Sequence, residues 1–287
     1  MNKNAGRKEP MEMKFTKMHG CGNDYIYVDC TQTPMEDPCG FALKYSDRHK
    51  GIGSDGLITI NPSEIADFRM AMYNADGSEG AMCGNGIRCV AKFVYDKGLT
   101  HKTHLVIETK AGLKYLDLTV EGGRVTRVRV DMGAPVTAAE QIPVVGQGAE
   151  VIGKTVTVDG RDWTMTCVSM GNPHAVIWVD QVKDMDLESI GPKFEGHPMF
   201  PDRVNTEFAR IIDRQNIEMR VWERGSGETM ACGTGATATA YAAWRCGLTD
   251  SKVTVHLLGG DLEIEYDQGR NTMLMTGPAE TVFEGEV

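Results

Sequence analysis

Glu79-Gly80-Ala81-Met82-Cys83-Gly84-Asn85-Gly86 and Glu228-Thr229-Met230-Ala231-Cys232-Gly233-Thr234-Gly235 are two copies of one pattern, E-x-x-x-C-G-x-G. Their cysteines stand 149 positions apart. The same offset lays Ala91 on Ala240, Gly98-Leu99-Thr100 on Gly247-Leu248-Thr249 and Gly22-Asn23 on Gly171-Asn172. Residues 72–100 match residues 221–249 at eight of 29 positions without a gap. One offset serving separated segments points to an internal duplication. The shared Gly-Leu-Thr carries no obvious chemistry, which argues against a chance likeness of glycine-rich turns.

Outward from the motif, both halves follow one plan. Phe68, Met70 and Met72 alternate with Arg69 and Ala71, and Ile217, Met219 and Val221 alternate with Glu218 and Arg220, so a strand leads into each motif. Behind each cysteine, Ile87, Val90, Ala91 and Val94, and Ala236, Ala240, Ala243 and Trp244, recur at helical spacing. Gly98 and Gly247 fall where a helix is capped at its C-terminus. Further strands are predicted around Glu121-Gly122-Gly123 and Gly259-Gly260. The expectation is an α+β fold of two pseudo-symmetric domains, each a mostly antiparallel, strand-rich barrel or roll around one central helix.

Of 287 residues, 41% are hydrophobic and 24% charged, a balance that suits a globular protein of two domains. No segment approaches the roughly 20 apolar residues of a membrane helix. The net charge of −10 and the lack of a basic stretch speak against nucleic acid as a partner. Met1 to Glu12 is polar, without the apolar run of a secretory signal, and reads as a disordered extension or as a late start at Met11 or Met13. A reducing, cytoplasmic setting follows, in which the eight cysteines form no disulfide framework. No C-x-x-C pair occurs, so zinc-knuckle and thioredoxin-type motifs are absent. Cys30, Cys39, Cys89, Cys167 and Cys246 read as small buried hydrophobes.

Cys83 and Cys232 read differently. The first amides of a helix lack internal partners and carry partial positive charge. Glycines strip side chains from that end, so a carboxylate can reach the bare N–H groups. A thiol placed there is expected to have its pKa, ordinarily about 8.5, drawn down. Two such ends facing one cleft offer an anion seat flanked by two thiols. That arrangement suits inversion of a stereocentre next to a carboxylate, where one group removes a proton from one face and a second returns one to the other. A single base tends to return the proton it took.

The chain resembles the diaminopimelate epimerase family. The resemblance rests on His19-Gly20-Cys21-Gly22-Asn23-Asp24, Asn74-Ala75-Asp76-Gly77-Ser78-Glu79 and Cys83-Gly84-Asn85-Gly86-Ile87-Arg88. It continues in Gly171-Asn172-Pro173-His174, Arg203-Val204-Asn205, Glu223-Arg224-Gly225 and the second cysteine motif. It implies conversion of LL-diaminopimelate to the meso isomer, for lysine and peptidoglycan precursors, without pyridoxal phosphate or metal. It also implies a homodimer and a pocket between the domains. By the same likeness Cys83 and Cys232 are the acid–base pair, and Gly84, Asn85, Gly233 and Thr234 offer backbone contacts to the reacting carboxylate. Asn23, Asn74, Asn172, Asn205, Glu223 and Arg224 then contact the rest of the substrate. His174 and Glu223 help set the protonation of the thiols. The domains implied are residues 13–130 and 131–276, with 277–287 returning as a strand to the first. Two positions depart from the expected pattern. Cys21 adds a thiol near Asn23, and Gly56 stands where some members carry glutamine.

Other readings compete. A proline racemase or hydroxyproline epimerase would use the same two thiols on a smaller substrate; Glu223-Arg224 and Asn205 favour the longer, doubly charged one. Gly51-Ile52-Gly53-Ser54-Asp55-Gly56 matches a dinucleotide-binding fingerprint literally, but Leu57 to Ile60 reads as a strand where that fingerprint needs a helix. A thiol redox sensor built on Cys83 and Cys232 is the third alternative.

Overall fold

The computed structural model describes residues 12–146 and 148–287. The extension expected over Met1 to Glu12 therefore lies, but for its last residue, outside the described residues. The first half contains β1 (Lys14–Gly20), β2 (Asn23–Asp29), α1 (Pro38–Tyr45), β3 (Gly56–Asn61), β4 (Phe68–Asn74) and β5 (Glu79–Gly80). It continues with α2 (Gly84–Asp96), β6 (His104–Thr109), β7 (Gly112–Glu121) and β8 (Arg124–Gly133). The second half contains β9 (Lys154–Val158), β10 (Arg161–Ser169), β11 (Pro173–Trp178), α3 (Leu187–Glu195), β12 (Asn205–Asp213), β13 (Asn216–Glu223) and β14 (Gly227–Thr229). After these come α4 (Gly233–Arg245), β15 (Lys252–Leu257), β16 (Gly260–Asp267), β17 (Thr272–Gly277) and β18 (Glu280–Glu286).

The offset of 149 found in the sequence carries through the fold. Moved by it, α2 falls on α4 residue for residue, and β4 falls on β13. Both halves use the same pairings, including parallel β2–β3 and β11–β12 and parallel β4–β6 and β13–β15; the other pairings are antiparallel. β1 receives β18 on its outer side as β10 receives β9. The halves join through β8 and β17, where Val128 faces Gly277, its own equivalent at the same offset. A local pseudo-twofold axis therefore passes between those two strands.

The strands of each half, parts of one 18-stranded sheet, curl around its long helix. α2 touches β1 and β2 at one end of its sheet and β7 and β8 at the other, and α4 likewise touches β10, β11, β16 and β17. Both helices are consequently buried around most of their circumference, as a helix enclosed by sheet must be. Ile87, Val90, Ala91 and Val94 are fully buried. Alanines at positions 236, 238, 240, 242 and 243 bring the strands close to α4. The cap glycines do what the pattern predicts. Gly98 (φ +75) and Gly247 (φ +73) take the left-handed conformation, and the next residues' amides reach back to Val94 O and Ala243 O.

The fold holds more helix than one per half. α1 and α3 were not read from the sequence, and they too are repeat equivalents, since Pro38 moved by 149 falls on Leu187. Asp37 and Asp186 cap them by accepting from Gly40 N and Ser189 N at 2.8 and 3.1 Å. Among the cysteines read as buried, Cys39 is exposed and Cys246 half-buried, because each lies at a helix end outside the rolled core. Gly51 to Gly56 leads into β3, a strand, so the dinucleotide fingerprint lacks its helix.

Candidate active site

The two motifs meet where the helices begin. Cys83 and Cys232 are the N-cap residues of α2 and α4, both in extended conformation. Each thiol takes the place of the usual capping hydroxyl. Gly86 N donates to Cys83 Sγ at 3.3 Å and Gly235 N to Cys232 Sγ at 3.4 Å. The glycines that follow, Gly84 and Gly233, face each other across the pseudo-axis. A Cβ on Gly233 would lie 3.6 Å from Gly84 Cα. Asn85 crosses the same junction, its Nδ2 donating to Ala231 O at 3.1 Å. Met275 and Met132 pack beneath this contact.

Around Cys83, Asn23 Oδ1 lies 3.1 Å from the sulfur and Asn23 Nδ2 donates to Asp55 at 2.8 Å. Arg88, fully buried, donates to Gly84 O, Asn85 Oδ1 and Pro278 O at 3.0–3.2 Å and lies 3.7 Å from Cys21 Sγ. It thereby ties the start of α2 to the link between β17 and β18. Its equivalent, Thr237, makes the matching bond to Gly233 O at 2.8 Å. Around Cys232, Thr234 Oγ1 lies 3.4 Å from the sulfur, and Glu223 is held by a hydrogen bond from Thr229. His174 and Glu207 are both fully buried, with Nδ1 and Oε1 2.7 Å apart, and His174 Nε2 stands 2.9 Å from Asn172 Oδ1.

The electrostatic balance corrects one sequence expectation. The helix ends were expected to draw both thiols down. Burial instead pushes both up, and the amides of Gly86 and Asn85 at Cys83, with Thr234 and Gly235 at Cys232, offset only part of it. At Cys232 the carboxylates of Glu223 and Glu207 add to the rise; at Cys83 Glu223 adds to it and Arg88 opposes it. Burial likewise raises the Glu223 carboxyl, against Thr229, Cys232 and His174.

The remaining predicted residues differ in what they have free. Asn74 Nδ2 donates to Ser78 Oγ at 3.0 Å. Asn205 is buried, donating to Pro173 O at 2.8 Å and accepting from Arg224 N at 2.9 Å, which leaves one N–H and one lone pair of its amide. Arg224 is exposed, with Nη1 on Asp202 O at 2.9 Å. The Asn85 side chain is spent on Ala231 and Arg88, which leaves its backbone for an incoming carboxylate. Gly56, which pairs with Asn74, would carry a Cβ only 2.1 Å from Tyr73 O, so no side chain fits there. Cys21 is buried at φ 53, packed against Arg88 and Gly260. Asp55, Arg88 and Glu207 were not singled out from the sequence. The available signal for Glu207 was its place two residues beyond Asn205 on one strand, which turns both to the same face.

A family model described as Diaminopimelate epimerase matches residues 15–138 and 166–282. A diaminopimelate epimerase of Agathobacter rectalis is 58% identical over 282 residues, covering 96% of this chain and 99% of its own. That of Acetivibrio thermocellus is 56% identical over 275 residues, covering 96% and 98%. A hydroxyproline epimerase structure from Agrobacterium vitis superposes with a TM-score of 0.69 at 14% identity, covering 98% of this chain and 92% of that one; it shares the fold.

Proposed function

From the premise that the chain belongs to the diaminopimelate epimerase family, we propose how its own residues carry the reaction. It is an isomerase that converts LL-diaminopimelate to the meso isomer, a step of lysine biosynthesis. The observation that carries the mechanism is the pair of repeat-related N-cap cysteines set on either side of the Gly84–Gly233 contact.

The reacting carboxylate sits between the starts of α2 and α4, on backbone N–H groups of Gly84, Asn85, Gly233 and Thr234. One cysteine, as thiolate, takes the α-proton, forming S–H as C–H breaks. The charge that develops on the carboxylate is held by the helix ends. The other cysteine, as thiol, returns its proton to the opposite face. The enzyme is left with thiol and thiolate exchanged, ready for the reverse reaction. Glu223 and His174 bias the second thiol. Asn23, Asn74, Asn172, Asn205, Glu223 and Arg224 contact the rest of the substrate. Arg224 exchanges Asp202 O for a carboxylate, which its planar fork binds better. Both proton-transfer groups come from the protein, so the reading needs neither pyridoxal phosphate nor metal. It further takes the enzyme to be a cytoplasmic homodimer.

Proton NMR of LL-diaminopimelate with reduced enzyme in deuterium oxide tests this. Loss of the α-proton signal with growth of the meso isomer is expected, abolished in both Cys83→Ala and Cys232→Ala. Turnover surviving either substitution would remove that cysteine from the acid–base pair.

A further inference from the structure

The two half-sites differ most in what stands behind each asparagine. Asn23 and Asn172 are repeat equivalents, yet their amides point opposite ways. Asn23 turns its carbonyl to the Cys83 sulfur and its NH2 to Asp55. Asn172 turns its carbonyl away, to His174 Nε2, and its NH2 has no hydrogen-bond partner among the described residues. Behind His174 stands Glu207. At the matching positions of the first half are Tyr25 and Ile58, neither of which pairs with the other as an acid and a base would.

The His174 ring is bounded by acceptors on both sides. Glu207 Oε1 faces Nδ1 at 2.7 Å and Asn172 Oδ1 faces Nε2 at 2.9 Å. An imidazole that donates from both nitrogens is an imidazolium. A neutral ring donating to Glu207 would have to accept at Nε2, and the asparagine would then present its NH2 to the ring and its carbonyl to the cleft. The other titratable groups near this pair are Glu223 on β13, which interacts with the ring, and Cys232 at the start of α4 and Cys167 on β10, which interact with Glu207. Of these only Glu223 is a carboxyl, and it is engaged by Thr229. Glu207 itself has no second purpose in the fold that its bonds reveal, for its Oε2 is buried without a partner among the described residues. An isolated buried oxygen of this kind is costly, and a costly group retained beside an active site is explained by what it positions.

We propose that Glu207 is a positioning residue of the second half-site: through a doubly protonated His174 it holds Asn172 with its NH2, and not its carbonyl, turned to the substrate. The site then offers an acceptor from Asn23 on one side and a donor from Asn172 on the other. A donor suits a carboxylate oxygen and an acceptor suits an ammonium or a thiol, so the asymmetry gives a near-symmetric cleft a fixed sense for a substrate with both groups. The proposal rests on the reading of this cleft as the substrate site.

The test is a long-range proton–nitrogen NMR spectrum of protein labelled with nitrogen-15 in histidine, recorded on wild type and Glu207→Gln at neutral pH. Both His174 ring nitrogens are expected to show protonated-type shifts in wild type, and one is expected to become imine-type in the variant. In parallel, kcat/KM of the variant should fall by about tenfold or more, the scale of one lost hydrogen bond to a charged group, with the loss mainly in KM. An imine-type nitrogen in wild-type His174 would overturn the proposal without any variant having to fold. A spectrum as expected with kcat/KM unchanged in Glu207→Gln would also overturn it. Wild type inactive on diaminopimelate, but with the imidazolium spectrum, would instead mean that the substrate reading had failed.

Discussion

A methyl group on Gly235 would come to 2.6 Å from Glu207 Oε1, a fully buried carboxylate already bound to His174. The equivalent methyl on Gly86 would come to 2.6 Å from Ile58 Cδ1, the free end of a flexible side chain. Equal distances here imply unequal costs. Gly235→Ala should destabilise by about 1–3 kcal/mol, as overpacking does, and Gly86→Ala by less, in urea unfolding of the two variants side by side. The reverse order would mean that Glu207 is not held where it is described. At this scale the sequence was partly legible. The cysteines and their glycines could be read because capping a helix and seating an anion need those residue types in that order. Glu207 had only its spacing from Asn205 to mark it, because a lone acid in Asn205-Thr206-Glu207-Phe208 otherwise reads as the solvent side of a strand, and its histidine lies on a different strand. The rise of the two thiols could not be read, since the burial that causes it depends on how deeply the helix starts are enclosed.

Among elements, α2 and α4 carried their own signatures in periodic apolar residues and a closing glycine, and the strands around them in alternation. α1 and α3 did not. α1 has only 8 residues and fully buries only Ala42, so it shows no apolar stripe. α3 carries Pro192 in its interior, which argues against a helix. What marked them were the aspartates before them, and these give a prediction. Asp37→Ala and Asp186→Ala should each lower stability by about 1 kcal/mol, read as a shift of the denaturation midpoint at unchanged slope. No shift in either would mean that the cap bond is not formed in solution. The repeat offset itself, applied to either aspartate, would have found the other.

For the molecule as a whole, burial in three hydrophobic clusters leaves a set of thiols out of water, and all respond to pH in the same sense. Burial pushes Cys89 up to about 12 and also raises Cys21, Cys30, Cys83, Cys167 and Cys232. A group whose folded pKa lies above its unfolded one keeps its proton longer in the folded state. Its contribution is therefore complete below the unfolded value and is lost as pH rises through the interval. Stability should fall as pH rises from about 8.5 to about 10, between the ordinary thiol and tyrosine values. The fall should be shallower in Cys89→Ala, in thermal melts compared by slope; an equal slope would mean that Cys89 ionises as readily folded as unfolded. Mostly antiparallel rolls around central helices were legible in the sequence, whereas the pairing of β8 with β17 was not, because no local pattern names a strand's partner across such a distance. That topology has one more consequence. Strands β9 to β17 follow one another in sequence, while β1 pairs with β18, which comes after them. Met13 N bonds Val287 O and Val287 N bonds Met13 O, so the approach to β1 and the exit of β18 lie side by side. A circular permutant sealed between Val287 and Met13 and opened at Pro278 would begin with β18 and run through β1 to β8, then β9 to β17. In that order each half would be one unbroken run of nine strands, with β18 leading the first as β9 leads the second.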